Sequence, residues 1–298
     1  MTKHCIAPLL LLLPLTLSSL EAIAVEPLLK AHAHNDYEHD RPLFDALDHG
    51  FCGVEADIFL IDGKLLVAHN RTDVRPGRTL QKLYLDPLQK RIASNNGRVY
   101  RGGPRVTLLI DLKSEAESTY LALHKVLSEY ADMLTTVDNG KVKRGALLVV
   151  ISGNRPHKLI AAQRIRYAGI DGRMADLDSS AAAHLLPMIS DNWNRHFRWR
   201  GEGEMPTTER QKLQSAVRRA HDAGRIVRFW ATPENENVWR ELLEADVDLI
   251  NTDDLITGSD EGFVENSYCC CCIVCARRIG AGCLVVPQIK PCDGKRIS

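Results

Sequence analysis

Short, almost continuously apolar stretches such as VTLLIDL (residues 106–112) and ALLVVIS (146–152) alternate with helix-patterned stretches close to eight times in this 298-residue chain. That alternation, with strands apolar on both faces, predicts an α/β fold built on a closed parallel barrel of the TIM type, (β/α)8. A doubly wound open sheet is the alternative. It lacks the glycine-rich phosphate loop expected after its first strand.

The elements follow in order. Residues 28–34 predict the first strand and 42–49 a short helix ending at Gly50. Residues 53–61 form the second strand, Asp62-Gly63 a turn and residues 64–69 its returning partner. A helical segment over 79–94 leads to the third strand, 106–112, and to a helix over 114–130 whose Ser114 and Glu117 suit a capping box. Then come the strand 146–152, a helix from about residue 156, and strands near 168–170 and 186–190. The helix 207–223, the strand 226–230, the helix 235–244 and the strand 247–252 complete the series.

Both ends read differently from this body. Residues 1–24 combine a basic start (Lys3, His4), the apolar run IAPLLLLLPLTL and the small-x-small pattern Ala22-Ile-Ala24, which predicts a cleaved signal peptide and a secreted or periplasmic protein. Pro8 and Pro14 interrupt the run, which is short for a membrane anchor. Residues 25–257 are the barrel, and 258–298 a cysteine-rich tail with no assigned function. Seven of the nine cysteines crowd that tail, whereas the body holds Cys52 alone, so thiol catalysis is not expected there. The CxxC of Cys272 and Cys275 lacks the second pair that a zinc site needs. Charge is balanced at 38 basic and 38 acidic residues, and no basic stripe points to nucleic acid. An anionic substrate must therefore be met locally.

The chemistry concentrates between residues 33 and 69, where AHND precedes GVEADIFLIDGKLLVAHN. In a strand the side-chain period is two, so Glu55 and Asp57 share one face, opposite Val54, Ala56 and Ile58. Paired acids among apolar strand residues need a compensating partner, and a cation is one. Parity also puts Asp111 and Lys113 on the face of Leu109. Barrel active sites gather at the C-terminal strand ends, where His34, Glu55, Asp57, Asp111, Lys113 and Trp230 all fall. Three carboxylates suit a hard divalent cation, Mg²⁺ or Ca²⁺, rather than zinc or copper. The adjacent ammonium of Lys113 suits an anionic substrate such as a phosphate ester.

Taken together, HNDY, GVEADIFL, VAHN, LIDLK, RFWATP and VDLINTDDL make the chain resemble the PLC-like phosphodiesterase superfamily. That superfamily includes glycerophosphodiester phosphodiesterases, phosphatidylinositol-specific phospholipases C and sphingomyelinases D. The chain is most similar to the branch containing the altered inheritance of mitochondria protein 6 family and its bacterial secreted relatives. The resemblance runs from about residue 28 to 255. It implies catalytic His34 and His69, metal ligands Glu55, Asp57 and Asp111, a phosphate-facing Lys113, and metal-dependent hydrolysis of a phosphoric diester. The substrate would be a small molecule or a lipid, the latter bringing peripheral contact with membrane lipid; no protein partner is implied. Asn35, Asp36 and Tyr37 stand where glycerophosphodiester phosphodiesterases carry Arg-Gly and then Glu-Asn-Thr, so a glycerol preference does not transfer.

Other readings stay open at this level. Glu55 and Asp57 also fit barrel salt bridges with arginines, and Trp230 fits core as well as a substrate-facing wall. Asn35, Arg71, Asn154, Asp191 and Asn192 either orient substrate or cap a helix. His32, His39 and His49 read as structural or solvated. A catalytically weak binding barrel and a metal-dependent sugar-phosphate enzyme are the alternative functions.

Overall fold

A computed structural model of the chain describes residues 25–253 and 255. The expected signal peptide and cysteine-rich tail lie outside the described residues. The barrel strands are β1 (Leu28–Ala33), β2 (Phe51–Ile61), β3 (Val106–Leu112), β4 (Leu147–Gly153), β5 (Gly169–Gly172), β6 (Met188–Asn192), β7 (Ile226–Trp230) and β8 (Leu249–Thr252). Each pairs in parallel with the next, and β8 returns to β1 through Ala31↔Ile250 and Ala33↔Thr252, so the eight strands close on themselves. Closure leaves no barrel edge to cover.

Alternation along the strands sorts the side chains into two cores. Leu109, Leu148, Val150, Met188 and Leu249 form a small cluster inside the barrel. The residues of opposite parity, Leu108, Ile110, Val149 and Ile151 among them, join the larger cluster between wall and helices. Fully burying such a side chain contributes about 1.5–3 kcal/mol, so the barrel wall is the main stabilising layer. The helices on it are α1 (Phe44–Asp48), α2 (Asp86–Ser94), α3 (Ala116–Ser128), α4 (His157–Ala162), α5 (Trp193–His196), α6 (Thr207–Asp222) and α7 (Glu236–Glu244). None among the described residues is long and apolar enough to cross a membrane.

Three local features depart from the sequence expectation. The helix expected over 79–94 opens as a π-turn at Gln81–Leu85 before α2 begins, because Pro87 has no N–H to continue the ladder. The cap of α3 is Glu115, whose carboxylate accepts from the N–H groups of Glu117 and Ser118. Ser114 instead accepts from Leu60 N at 2.8 Å and ties β2 to the start of that helix. A small antiparallel sheet, Lys141–Lys143 and Ile165–Arg166 flanking Thr136–Asp138, was not expected. Its hairpin turns at Asn139 and Gly140, both at positive φ. The Asp62-Gly63 turn occurs where expected, returning β2 into the antiparallel strand Lys64–Val67.

Candidate active site

The register of β2, β3 and β4 sets Asp57 beside Asp111, and Asp111 beside Ser152, at the C-terminal end of the barrel. One carboxylate oxygen from each of Glu55, Asp57 and Asp111 lies within 4.8 Å of the others. Asp57 Oδ2 accepts from Lys113 Nζ at 3.0 Å and from Tyr37 OH at 2.7 Å. Lys113 Nζ also lies 3.4 Å from Asp111 Oδ1. Glu55 Oε2 accepts from Arg228 Nη2 at 2.6 Å and lies 3.3 Å from His32 Nε2.

Electrostatics separate the three acids. Burial works against the charge of Glu55, but the buried Arg228 guanidinium overrides it and holds the carboxyl well below its usual range. Burial and the charge of Glu55 push Asp57 up to about 6. Burial likewise raises Asp111, despite Lys113 beside it. For Lys113 burial opposes the charge, and Asp111 and Asp57 outweigh it, so its pKa lies above the ordinary lysine value. Three carboxylates thus face two cations, and one negative charge is left over in a buried cluster.

That surplus is what a divalent cation would answer. Asp57 Oδ1 is buried without a hydrogen-bond partner. Gly153, at φ +66°, leaves open the space beside Asp111, since a Cβ there would fall 2.1 Å from Asp111 Oδ1. An all-carboxylate donor set suits Mg²⁺ or Ca²⁺. The three acids therefore have the geometry and chemistry to hold a hard metal ion.

Both histidines lie at the same mouth, each tied to a carboxylate. His34, just past β1, meets Asp253 Oδ1 through Nδ1 at 2.7 Å, with Asn35 Nδ2 at 3.3 Å from the same nitrogen. Burial would lower its pKa, but the Asp253 hydrogen bond and the charge of Glu55 raise it above the ordinary imidazole value. His69 is exposed and places Nδ1 at 3.1 Å from Tyr37 OH and 3.3 Å from Asp57 Oδ2. The Tyr37 hydroxyl is also 2.7 Å from Asn35 Oδ1, so it joins the surroundings of both rings. Trp230 ends β7, half-buried beside Asn192 in register.

Arg228, Tyr37, Asp253 and His32 were not among the site residues read from the sequence. Arg228 was legible by parity, being two residues before Trp230 on β7. His32 is fully buried, and desolvation followed by the Arg228 charge lowers it to about 4, so it is a neutral spacer beside Glu55. Its ring is the reason for Gly53, where a Cβ would fall 2.5 Å from His32 Nδ1. The salt-bridge reading holds for Glu55, which has its arginine. Other polar candidates make local bonds: Asn154 donates to Ser114 O, Asn192 caps α5, and Asp191 accepts from Met174 N and meets His196. Arg71 is exposed.

Residues 22–170 match the AIM6-like phosphodiesterase domain, and residues 227–256 match the glycerophosphoryl diester phosphodiesterase family. The chain is 27% identical over 259 residues to the altered inheritance of mitochondria protein 6 homolog of Arthroderma benhamiae, covering 75% of this chain and 81% of that one. The altered inheritance of mitochondria protein 6 of Eremothecium gossypii is 28% identical, with 78% and 69% covered. That of Lachancea thermotolerans is 30% identical, with 76% and 64% covered. Among solved structures, a glycerophosphodiester phosphodiesterase from Agrobacterium tumefaciens aligns at a TM-score of 0.44 and 17% identity, over 76% of this chain and 95% of that one. The first match spans half of the sequence, and the chain belongs to the AIM6-like phosphodiesterase domain family.

Proposed function

We propose that this chain is a divalent-cation-dependent phosphoric diester hydrolase acting on a small-molecule or lipid phosphodiester. The observation that carries the reading is the unbalanced acid cluster of Glu55, Asp57 and Asp111, with an ammonium and two histidines at the same mouth. A cation held by the three acids would supply Lewis acidity toward a nonbridging phosphoryl oxygen. Lys113 donates to the charge that grows on the phosphoryl group. His34, whose hold on a proton is strengthened by Asp253 and Glu55, gives its proton to the departing alkoxide. His69, with Nδ1 turned toward Tyr37 and Asp57, uses Nε2 to take the proton of the attacking hydroxyl. Trp230 and Asn35 flank the substrate.

The test is a panel of glycerophosphodiesters, lysophospholipids, phosphoinositides and cyclic phosphates, assayed with Mg²⁺, with Ca²⁺ and with chelator. Metal-dependent release of a phosphomonoester or cyclic phosphate is expected. No turnover of any member would overturn the reading in favour of a binding barrel. Export is part of the proposal, supported by the signal-like residues 1–24. N-terminal sequencing of the exported protein should begin near Val25, and an intact N-terminus in the cytosol would contradict it.

A further inference from the structure

At the opposite, N-terminal end of the barrel, a cavity of about 530 Å³ opens between Cys52, Thr107, Leu249 and the side chains of Arg98, Arg105 and Arg144. The register brings the arginines together. Val106 N donates to Ala146 O at 3.0 Å, so the segment entering β3, with Arg105, runs beside the segment entering β4, with Arg144. Arg98 comes from the loop just before.

The backbones carrying these side chains are pinned. Arg91 Nε and Asn95 Nδ2 both donate to Val99 O, at 3.0 and 2.8 Å, and Tyr100 OH donates to Phe51 O at 2.7 Å. Gly145 packs so closely on Leu134 that a Cβ would fall 2.3 Å from its carbonyl carbon. Three like charges therefore rise from fixed backbone around one opening. Desolvation, then the charges of Arg144 and Arg98, lower the pKa of Arg105.

The acids at this rim are already engaged. Asp246 accepts from Lys30 Nζ at 2.5 Å. Asp248 meets His221 Nε2 at 2.8 Å and accepts from Val227 N at 2.7 Å. Among the described residues, none of the three guanidinium groups has a hydrogen-bonded or ion-paired partner. An exposed arginine without a carboxylate is ordinary; here three on pinned backbones, with Lys30, line one opening against two carboxylates, Asp246 and Asp248, and leave it net positive.

We propose that the N-terminal end of the barrel is a binding site for a polyphosphorylated group, distinct from the candidate active site at the other end. Guanidinium forks match phosphate oxygens in pairs, and three of them call for an anion bearing more than one phosphate. The cavity has the size of a small-ligand pocket, and the chain's balanced charge and, among the described residues, the absence of aromatic side chains from its lining disfavour a nucleic-acid strand. The same chemistry is offered by a free polyphosphate and by a phosphorylated lipid headgroup.

The full chain is titrated with inorganic triphosphate by calorimetry in chelator, where the surplus negative charge at the mouth repels the probe. In parallel it is floated with phosphatidylcholine vesicles with and without phosphatidylinositol bisphosphate. Triphosphate should bind and raise the unfolding temperature. Arg105→Gln or Arg144→Gln should each weaken binding about tenfold, as loss of a charge-assisted contact does. The triple variant with Arg98→Gln should abolish it. Without ligand the triple variant should unfold at the same or a higher temperature, because it removes repulsion. Binding only to the phosphoinositide vesicles, lost in the triple variant, would support the site with a lipid as its source. Absence of both forms of binding, or binding undiminished in the triple variant, would overturn the proposal. Phosphodiester turnover should be unchanged in all three variants, which separates this site from the proposed reaction.

Discussion

The inside of the barrel carries two buried acid networks at its C-terminal end, and they are built to opposite ends. On one side, Asp171 Oδ2 accepts from Ser152 Oγ and Ser190 Oγ at 2.8 Å each and from Arg173 Nη1 at 2.6 Å. Arg155 also donates to Asp171 O and Asp176 accepts from Arg173 N, so two carboxylates meet two guanidinium groups and the charge closes. On the other side, Glu55, Asp57 and Asp111 outnumber Arg228 and Lys113. Both sides contain a carboxylate oxygen without a partner, Asp171 Oδ1 and Asp57 Oδ1, so an unpartnered atom does not distinguish them. Charge balance does. A buried network that neutralises itself braces neighbouring strands, whereas one left negative is poised for a cation.

Substitution should separate the two networks, with the largest effect on turnover. His34→Ala and His69→Ala should each cut phosphodiester turnover by about two to four orders of magnitude, the usual contribution of general acid or base catalysis. Divalent-cation affinity should stay nearly unchanged. Asp171→Ala should leave cation binding intact but destabilise the fold by about 3–5 kcal/mol, since it strips the counter-charge from Arg173. Denaturant unfolding with parallel calorimetry checks both halves of that statement.

Within the acid cluster the three carboxylates should not behave alike. Glu55→Gln leaves Arg228 buried without its carboxylate, so it should lower stability by about 3–5 kcal/mol as well as weaken cation binding. Asp57→Asn should weaken cation binding while making the metal-free protein more stable at neutral pH. The sign follows from its pKa, raised from 3.8 to about 6 on folding. The stability linked to the protonated form is fully present below the unfolded value and is lost as pH rises through about 6. The difference between wild-type and Asp57→Asn unfolding curves should therefore widen from pH 4 to 6 in chelator and shrink when Mg²⁺ or Ca²⁺ is added. Gly153→Ala tests the smallest element. A Cβ at φ +66° directed at Asp111 Oδ1 should cost about 1–3 kcal/mol and weaken the cation without touching the Asp171 network.

What the sequence made legible follows the same division. Strands β3 and β7 match their sequence-read limits because a continuous apolar run and the turn residues beside it are local signals. Parity placed Glu55, Asp57, Asp111 and Lys113 on one face because the two-residue period holds within a strand. Partners across the barrel were not legible in that way. Arg228 reaches Glu55 from 173 residues away, and Asp253 reaches His34 from 219. Tyr37 was visible in HNDY, yet its bonds to Asp57 and His69 depend on how the turn after β1 folds. Ser114 and Glu115 show the same limit at short range, since both can cap α3. The claim of Leu60 N on Ser114 Oγ assigns the cap to Glu115.

The metal site is tested most directly by calorimetric titration of the metal-free full chain with Mg²⁺ and with Ca²⁺ at neutral pH. Saturable binding at one site per chain is predicted for one or both ions, accompanied by a rise in unfolding temperature. Asp57→Asn and Asp111→Asn should each weaken it by at least about tenfold, and Asp171→Asn should leave it unaltered. Absence of binding by both ions, or binding that survives in Asp57→Asn and Asp111→Asn alike, would contradict the assignment of Glu55, Asp57 and Asp111 as a metal site.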